Sequence, residues 1–174
     1  MSIDLLKQSI RSIEDFPKPG VSFADITPLL SNPQQLKELQ SLIGAHYANC
    51  NITKVVGLES RGFFFAPAIA MGIGAGFVPA RKPGKLPFQT IGIEYEKEYG
   101  KDKIEIHVDA INENDVVLIH DDVLATGGTI NAAIELVKKC NVKKIYVNFI
   151  VEITALQGRY KIQQGVDVMS LIKL

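Results

Sequence analysis

Residues Val116–Thr129 read VVLIHDDVLATGGT. The β-branched run Asp115–His120 (DVVLIH) predicts a buried strand that ends in two adjacent acids, Asp121 and Asp122. Gly127-Gly128-Thr129 follows and opens a predicted helix over Gly128–Cys140. A helix N-terminus presents unpaired N–H groups and a partial positive charge. Two glycines let the backbone wrap closely around an anion, and Thr126 and Thr129 add hydroxyl donors, which together make a phosphate cradle that needs no lysine. Ionised Asp121 and Asp122 only accept hydrogen bonds, which suits the vicinal hydroxyls of a ribose. Taken singly, acids at a strand end and a Gly-Gly pair are ordinary turn and cap chemistry. In this order they describe a site for a ribose 5-phosphate.

On either side of that segment the pattern alternates. Lys54–Leu58 (KVVGL) and Gly76–Ala80 read as strands with a helix-like Phe63–Met71 between them, and Lys144–Glu152 and Val168–Ile172 read as strands separated by a short helix. Strands alternating with helices predict a mainly parallel α/β sheet flanked by helices, with ligands at the carboxyl ends of its strands. Residues 90–108 differ: Ile91, Ile93 and Tyr95 alternate with polar residues, as do Ile104, Ile106 and Val108, so a β-hairpin turning at Tyr99–Asp102 is expected. At the N-terminus, the first fifteen residues read as one amphipathic helix, Phe16–Pro28 (FPKPGVSFADITP) as irregular, and Asn32-Pro33 as the start of a helix carrying Leu36, Leu39, Ile43 and Tyr47.

Two further loops sit at predicted strand ends. Glu59-Ser60-Arg61-Gly62 offers Ser60 and Arg61 as donors, and Arg61 suits a forked grip on a second phosphate group, although a surface salt bridge is the plainer reading of an isolated arginine. Arg81-Lys82-Pro83-Gly84-Lys85 is the densest positive patch, either a solvated basic turn or a second handle for a polyphosphate. The acid-rich hairpin is either a solvated ribbon or a lid over bound substrate. Other nucleotide loops are excluded: no lysine follows Gly128, and Gly72-Ile73-Gly74-Ala75-Gly76 lacks the dinucleotide glycine spacing and precedes a strand.

Length and composition agree with this outline. The chain has 174 residues, enough for one domain with its own core. Lys+Arg and Asp+Glu are both 19, so no global basic field exists to hold a nucleic-acid backbone. Hydrophobic residues at 47% and charged residues at 22% argue against disorder. Cys50 and Cys140 lie far apart with no Cys-x-x-Cys pairing, which argues against a zinc cluster or disulfide framework and fits a reducing compartment. The start, MSIDLLKQSI, is not a signal peptide. Gly62–Ala80 carries no charge and is as long as a membrane span, but its prolines and glycines break it into a buried helix, a turn and a buried strand.

VLIHDDVLATGGT resembles the phosphoribosyl diphosphate signature of type I phosphoribosyltransferases. GLESRGFFFAP, VPARKPGKLP, EYEKEYG and FPKPGVSFADITPLL, in that spacing, are similar to the adenine-specific branch of that family over nearly the whole chain. The resemblance implies a type I phosphoribosyltransferase fold as one domain, residues 1–174, with an N-terminal hood (1–32) and a flexible catalytic hairpin (86–108). It implies transfer of the phosphoribosyl group from phosphoribosyl diphosphate to adenine, giving AMP and pyrophosphate, in a cytoplasmic homodimer. Mg²⁺ would be carried by phosphoribosyl diphosphate near Asp121 and Asp122. Carried over residue by residue, Asp121 and Asp122 would hold the ribose hydroxyls. Ala125, Thr126, Gly127, Gly128 and Thr129 would hold the 5-phosphate. Ser60, Arg61, Arg81, Lys82 and Lys85 would hold pyrophosphate. Ser22, Phe23, Ala24 and Val123 would line the adenine site. Glu98, Tyr99 and Arg81 would be catalytic, Glu98 as acid or base near the purine imidazole nitrogens.

Two positions depart from the family pattern. Ala24 stands where many relatives have Arg, and His120 where Val is commoner. His120 would face the core or a neighbouring strand, or else tune the adjacent acids. Two other functions compete with transfer to adenine: the same fold acting on hypoxanthine, guanine or xanthine, and a non-catalytic ligand-sensing regulator. Intact Glu98, Arg61 and Arg81, and no appended basic segment, argue against the regulator.

Overall fold

The computed structural model describes residues 3–97 and 100–174, Lys97 by its backbone alone. In chain order the elements are α1 (Ile3–Gln8), β1 (Arg11–Ile13), β2 (Phe23–Asp25), α2 (Thr27–Ser31), α3 (Pro33–Tyr47), β3 (Lys54–Leu58), α4 (Ala66–Ile73), β4 (Gly76–Ala80), β5 (Thr90–Lys97), β6 (Gly100–His107), β7 (Val116–Leu124), α5 (Gly128–Lys138), β8 (Lys144–Glu152), α6 (Gly158–Lys161) and β9 (Asp167–Lys173). Five parallel strands form the central sheet in the order β4-β3-β7-β8-β9. The α/β architecture expected from the alternating pattern is the one observed.

Alternate side chains of the central strands serve two cores. Val55, Leu118 and Ile150 meet Leu6, Leu39, Ile43 and Ile69 from α1, α3 and α4 on one face. Val56, Val117, Ile119 and Phe149 meet Ile130, Ile134 and Val137 of α5 on the other. Burial on both faces explains why β3, the start of β7 and most of β8 are apolar without alternation. The uncharged stretch Gly62–Ala80 is a 3₁₀ turn (Arg61–Phe64), α4 and β4, and among the described residues no helix is long and apolar enough to cross a membrane.

Long-range pairing corrects the N-terminal reading. The expected fifteen-residue helix stops at Gln8, because Arg11–Ile13 pairs antiparallel with Phe23–Asp25, inside the segment expected to be irregular. A partner strand ten residues away leaves no periodic trace in so short a stretch. Asn32 behaves as expected: its Oδ1 accepts from the amides of Gln34 (3.0 Å) and Gln35 (3.2 Å) and caps α3. Asn32→Ala should cost about 1 kcal/mol, read as a lower urea midpoint with an unchanged slope.

The β5–β6 hairpin forms, with Ile104 and Ile106 buried and Ile91, Ile93 and Tyr95 packed on the α5 core. Its pairing runs to Lys97 opposite Gly100, so Lys101 and Asp102 belong to the strand rather than the expected turn. Glu98 and Tyr99 lie outside the described residues.

Candidate active site

β3, β4 and β7 are neighbours in the sheet, so the three loops singled out in the sequence emerge side by side at its carboxyl edge. β7 itself runs further than expected. Its pairing with β3 ends at His120 opposite Gly57, while its pairing with β8 continues through Leu124. Asp121 and Asp122 therefore lie within the strand, on a stretch that has lost its β3 partner. The 3₁₀ turn after β3 fills that side closely: a Cβ on Gly62 would sit 2.7 Å from the His120 carbonyl oxygen.

The two acids are held in an environment that resists their charge. Burial and the neighbouring Asp122 push the Asp121 carboxyl well above the usual carboxylate range. Burial also raises Asp122, against the pull of Arg61. Arg61 Nε lies 3.1 Å from Asp122 Oδ2, an ion pair without hydrogen-bond geometry, so this buried oxygen keeps an unused acceptor. Asp122 Oδ2 and the adjacent Asp121 suit ribose hydroxyls, and they suit a hard cation that takes its remaining oxygens from a polyphosphate.

After β7, Gly127 adopts φ +85° as the N-cap of α5, and among the described residues no side chain caps the helix. The first-turn N–H groups of α5 thus face a small cleft of about 80 Å³ lined by Asp121, Val123 and Ala125–Ile130. A ring of N–H donors at the positive end of an eleven-residue helix is an anion site. The Glu96 carbonyl oxygen of the hairpin lies 3.9 Å from the Cβ position of Gly128, so β5 passes over this cleft.

The loop after β4 is organised by a residue the sequence reading missed. Glu59 takes a forked contact from Arg81, Nε to Oε2 and Nη2 to Oε1 at 3.2 Å each, and accepts from the Lys82 amide at 2.9 Å. Burial pushes the Glu59 carboxyl up, but the Lys82 amide and Arg81 outweigh it and hold it below its ordinary value. Lys82 Nζ reaches Asp102 of the hairpin at 3.5 Å. Lys85 is exposed, and its carbonyl accepts from Arg81. Ser60, joined to Glu59 by a cis peptide, opens the 3₁₀ turn. The only sign of Glu59 in the sequence was its place beside Ser60-Arg61, because its partners come from another strand.

Arg61 points toward the hood. Besides Asp122 it donates to the Ala24 carbonyl (3.4 Å), and its guanidinium stacks 4.5 Å above the Phe23 ring. Arg11 on β1 forks onto buried Asp25, at 3.0 Å from Nε and 2.5 Å from Nη2, which locks the β1–β2 register. Ser22 and Ala24 line a cleft of about 290 Å³ shared with Ile10, Arg11, Ile153 and Leu174. Phe23, on the opposite face of β2, meets Arg61, and Val123 lines the cleft before α5. His120 is fully buried, with Nδ1 2.8 Å from Asn148 Oδ1 and its ring against Phe65. Burial lowers its pKa to about 4, so it is neutral at neutral pH and faces the next strand, one of the two alternatives left by the sequence.

A phosphoribosyl transferase domain model matches residues 25–173. Together with the acid pair, the uncapped helix and the basic loop, this match places the chain in the phosphoribosyltransferase family. It is 53% identical to an adenine phosphoribosyltransferase of Bacteroides fragilis, over all of this chain and 99% of that protein. It superposes on the crystal structure of the Rhodothermus marinus adenine phosphoribosyltransferase with a TM-score of 0.94 at 47% identity, covering 99% of this chain and 98% of that one. The Giardia lamblia enzyme, complexed with 9-deazaadenine, gives a TM-score of 0.95 at 43% identity, with 100% and 98% covered. Within the family, the chain belongs to the adenine phosphoribosyltransferases.

Proposed function

We infer that this purine salvage enzyme transfers the 5-phosphoribosyl group from phosphoribosyl diphosphate to adenine, giving AMP and pyrophosphate. The observation that carries the reading is the pair Asp121 and Asp122 set beside the uncapped N-terminus of α5. In this reading the N–H groups and hydroxyls of Ala125–Thr129 hold the 5-phosphate, and the acids accept from the ribose hydroxyls. Their negative charge lies where the ribose becomes oxocarbenium-like as the bond to pyrophosphate breaks. Ser60, Arg61, Arg81, Lys82 and Lys85 take the leaving group, whose charge they offset.

Adenine lies against the hood, with Phe23 as stacking face, the backbone at Ser22 reading its edge, Ala24 beside it and Val123 opposite. Arg61 must leave Phe23 for the base to stack there and for the guanidinium to reach pyrophosphate. The β5–β6 hairpin shields the reacting carbon from water and carries Glu98 and Tyr99, with Glu98 assigned the proton at the purine nitrogen. Asp122, with its unused acceptor, and the adjacent Asp121 would hold a Mg²⁺ brought with phosphoribosyl diphosphate, which would supply charge to offset the pyrophosphate.

The protein is assigned as a cytoplasmic homodimer. The free thiols of Cys50 and Cys140 support a reducing compartment. Exposed Phe64 (54%), Met71 (83%) and Phe77 (37%), on and beside α4 and β4, support a self-associating face, which sedimentation velocity tests. The activity is tested with phosphoribosyl diphosphate, Mg²⁺ and competing labelled purines. AMP from adenine in preference to hypoxanthine or guanine is expected, and folded protein that makes no AMP would overturn the reading.

A further inference from the structure

The cradle after β7 does not stand alone. A second segment, from the end of β8 to α6, is pressed against it. A Cβ on Gly158 would sit 2.1 Å from the Ala125 carbonyl oxygen, and a Cβ on Gly127 would sit 2.8 Å from the Gly158 carbonyl oxygen. Gly158 leaves room for the Ala125 backbone and Gly127 for the Gly158 backbone, so the two loops meet backbone to backbone, with Leu124 Cδ1 3.1 Å from the Cβ position of Gly158. The far end of α6 is tied to the same helix: Asn131 Nδ2 donates to the Lys161 carbonyl at 2.7 Å, and Asn131 Oδ1 accepts from the Gln163 amide at 3.3 Å. Asn131 lies in the first turn of α5, so α6 brackets the phosphate-facing end of that helix on two sides.

What holds α6 there is Arg159. Its Nε lies 3.0 Å from each oxygen of Glu152, and its Nη2 lies 2.5 Å from Oε2. Nη1 donates to the Val168 carbonyl and Nη2 to Ser170 Oγ, both at 2.9 Å, which anchors the residue to β9. Glu152 is buried, and Arg159 holds its carboxyl below the usual range. Glu152 is also the β8 residue opposite Leu124, the last residue of β7 before the cradle. One guanidinium thus links the end of β8, strand β9 and the peptide that backs Ala125–Gly127. Nothing in the sequence pattern marks Gly158-Arg159, because the partners lie on three other elements.

We propose that Gly158 and Arg159 are positioning residues for the 5-phosphate: they set the backbone path of Ala125–Gly127 and the aim of its N–H groups without touching substrate. This rests on the cradle holding the 5-phosphate, as inferred above. A Cβ at Gly158 must push the Ala125 carbonyl away, and a displacement of that size at a binding loop weakens binding by about tenfold to a hundredfold.

The test uses the full chain as Gly158→Ala and Arg159→Lys, with AMP and pyrophosphate binding by calorimetry and steady-state kinetics for both substrates. AMP affinity should fall about tenfold or more in Gly158→Ala, and less in Arg159→Lys, which keeps the charge but loses the fork. KM for phosphoribosyl diphosphate should rise in parallel, with KM for adenine and the affinity for pyrophosphate unchanged. A merely structural role would lower the melting temperature and the active fraction while leaving AMP affinity and both KM values as in the parent, and that result overturns the proposal. If Gly158→Ala does not fold, Arg159→Lys decides on the same criteria. Failure of the underlying reading is seen separately, as a parent protein that neither binds AMP nor makes it.

Discussion

Asp121→Asn should melt at a higher temperature than the parent at pH 8 and make AMP about a hundredfold more slowly, a loss of about 2.7 kcal/mol of transition-state stabilisation. The two effects have one cause. Burial and the neighbouring Asp122 raise the Asp121 carboxyl in the folded protein, so ionising it there is harder than in the unfolded chain. The stability it contributes is fully present below the unfolded value and is lost as pH rises through the folded one. An amide never ionises, so the variant escapes that loss. The gap in melting temperature should therefore be near zero at pH 4 and open as pH rises. A gain of about 1 kcal/mol would be read as about 2–4 °C for a chain of this size.

In the proposed site the same charge faces an electron-poor ribose, so the change that relieves the fold should remove catalysis. The checks are thermal melts at pH 4 and pH 8 and steady-state AMP formation. An Asp121→Asn protein that is less stable than the parent at both pH values, or equally active, would contradict this account. Binding of a polyphosphate with Mg²⁺ should favour the ionised pair. Its affinity should then rise with pH above the acid range, with protons released on binding.

Arg61→Ala should be the most damaging single substitution outside the acid pair. The side chain touches Asp122, the Ala24 carbonyl and the Phe23 ring at once. Removing it strips a buried carboxylate of its counter-charge and unties the hood. Breaking a fully buried pair costs about 3–5 kcal/mol. Arg61 is 34% exposed, so solvent screening reduces this to about 1–2 kcal/mol. Without the guanidinium the Asp122 carboxyl rises further, so the destabilisation should be small at pH 4 and grow toward pH 8, as urea melts at the two values would show. In kinetics, with Arg61 touching the hood and proposed to hold the leaving group, KM should rise for both substrates. Arg61→Lys should recover part of the stability and little of the activity, since a lysine neither forks nor stacks in the same way. Unchanged KM values in Arg61→Ala would remove Arg61 from the substrate site.

These two residues also show how far reading the sequence reached. Asp121, Asp122, Gly127 and Gly128 were legible because their chemistry is local: a strand run, two acids and a helix start lie within one short segment. Asn32 capping α3, and the helix-turn-strand of Gly62–Ala80, were legible for the same reason. Arg61 was singled out correctly as a strand-end cation, but its direction was not legible. Its partners sit on β7 and in the hood. The pair of short strands β1 and β2 was missed because three-residue strands carry too little periodicity to show, and each is a strand only through the other.

By itself, then, the sequence determined the α/β class, the acid pair on β7 and the glycine start of α5, since each rests on the spacing of neighbouring residues and on backbone chemistry within one turn. Folding decided which charges face which. It set Glu59 against Arg81, Arg61 between Asp122 and Phe23, His120 against Asn148, and Arg159 behind the cradle. These pairings join residues far apart in the chain. They depend on sheet order and register, which bring separate strand ends to one edge.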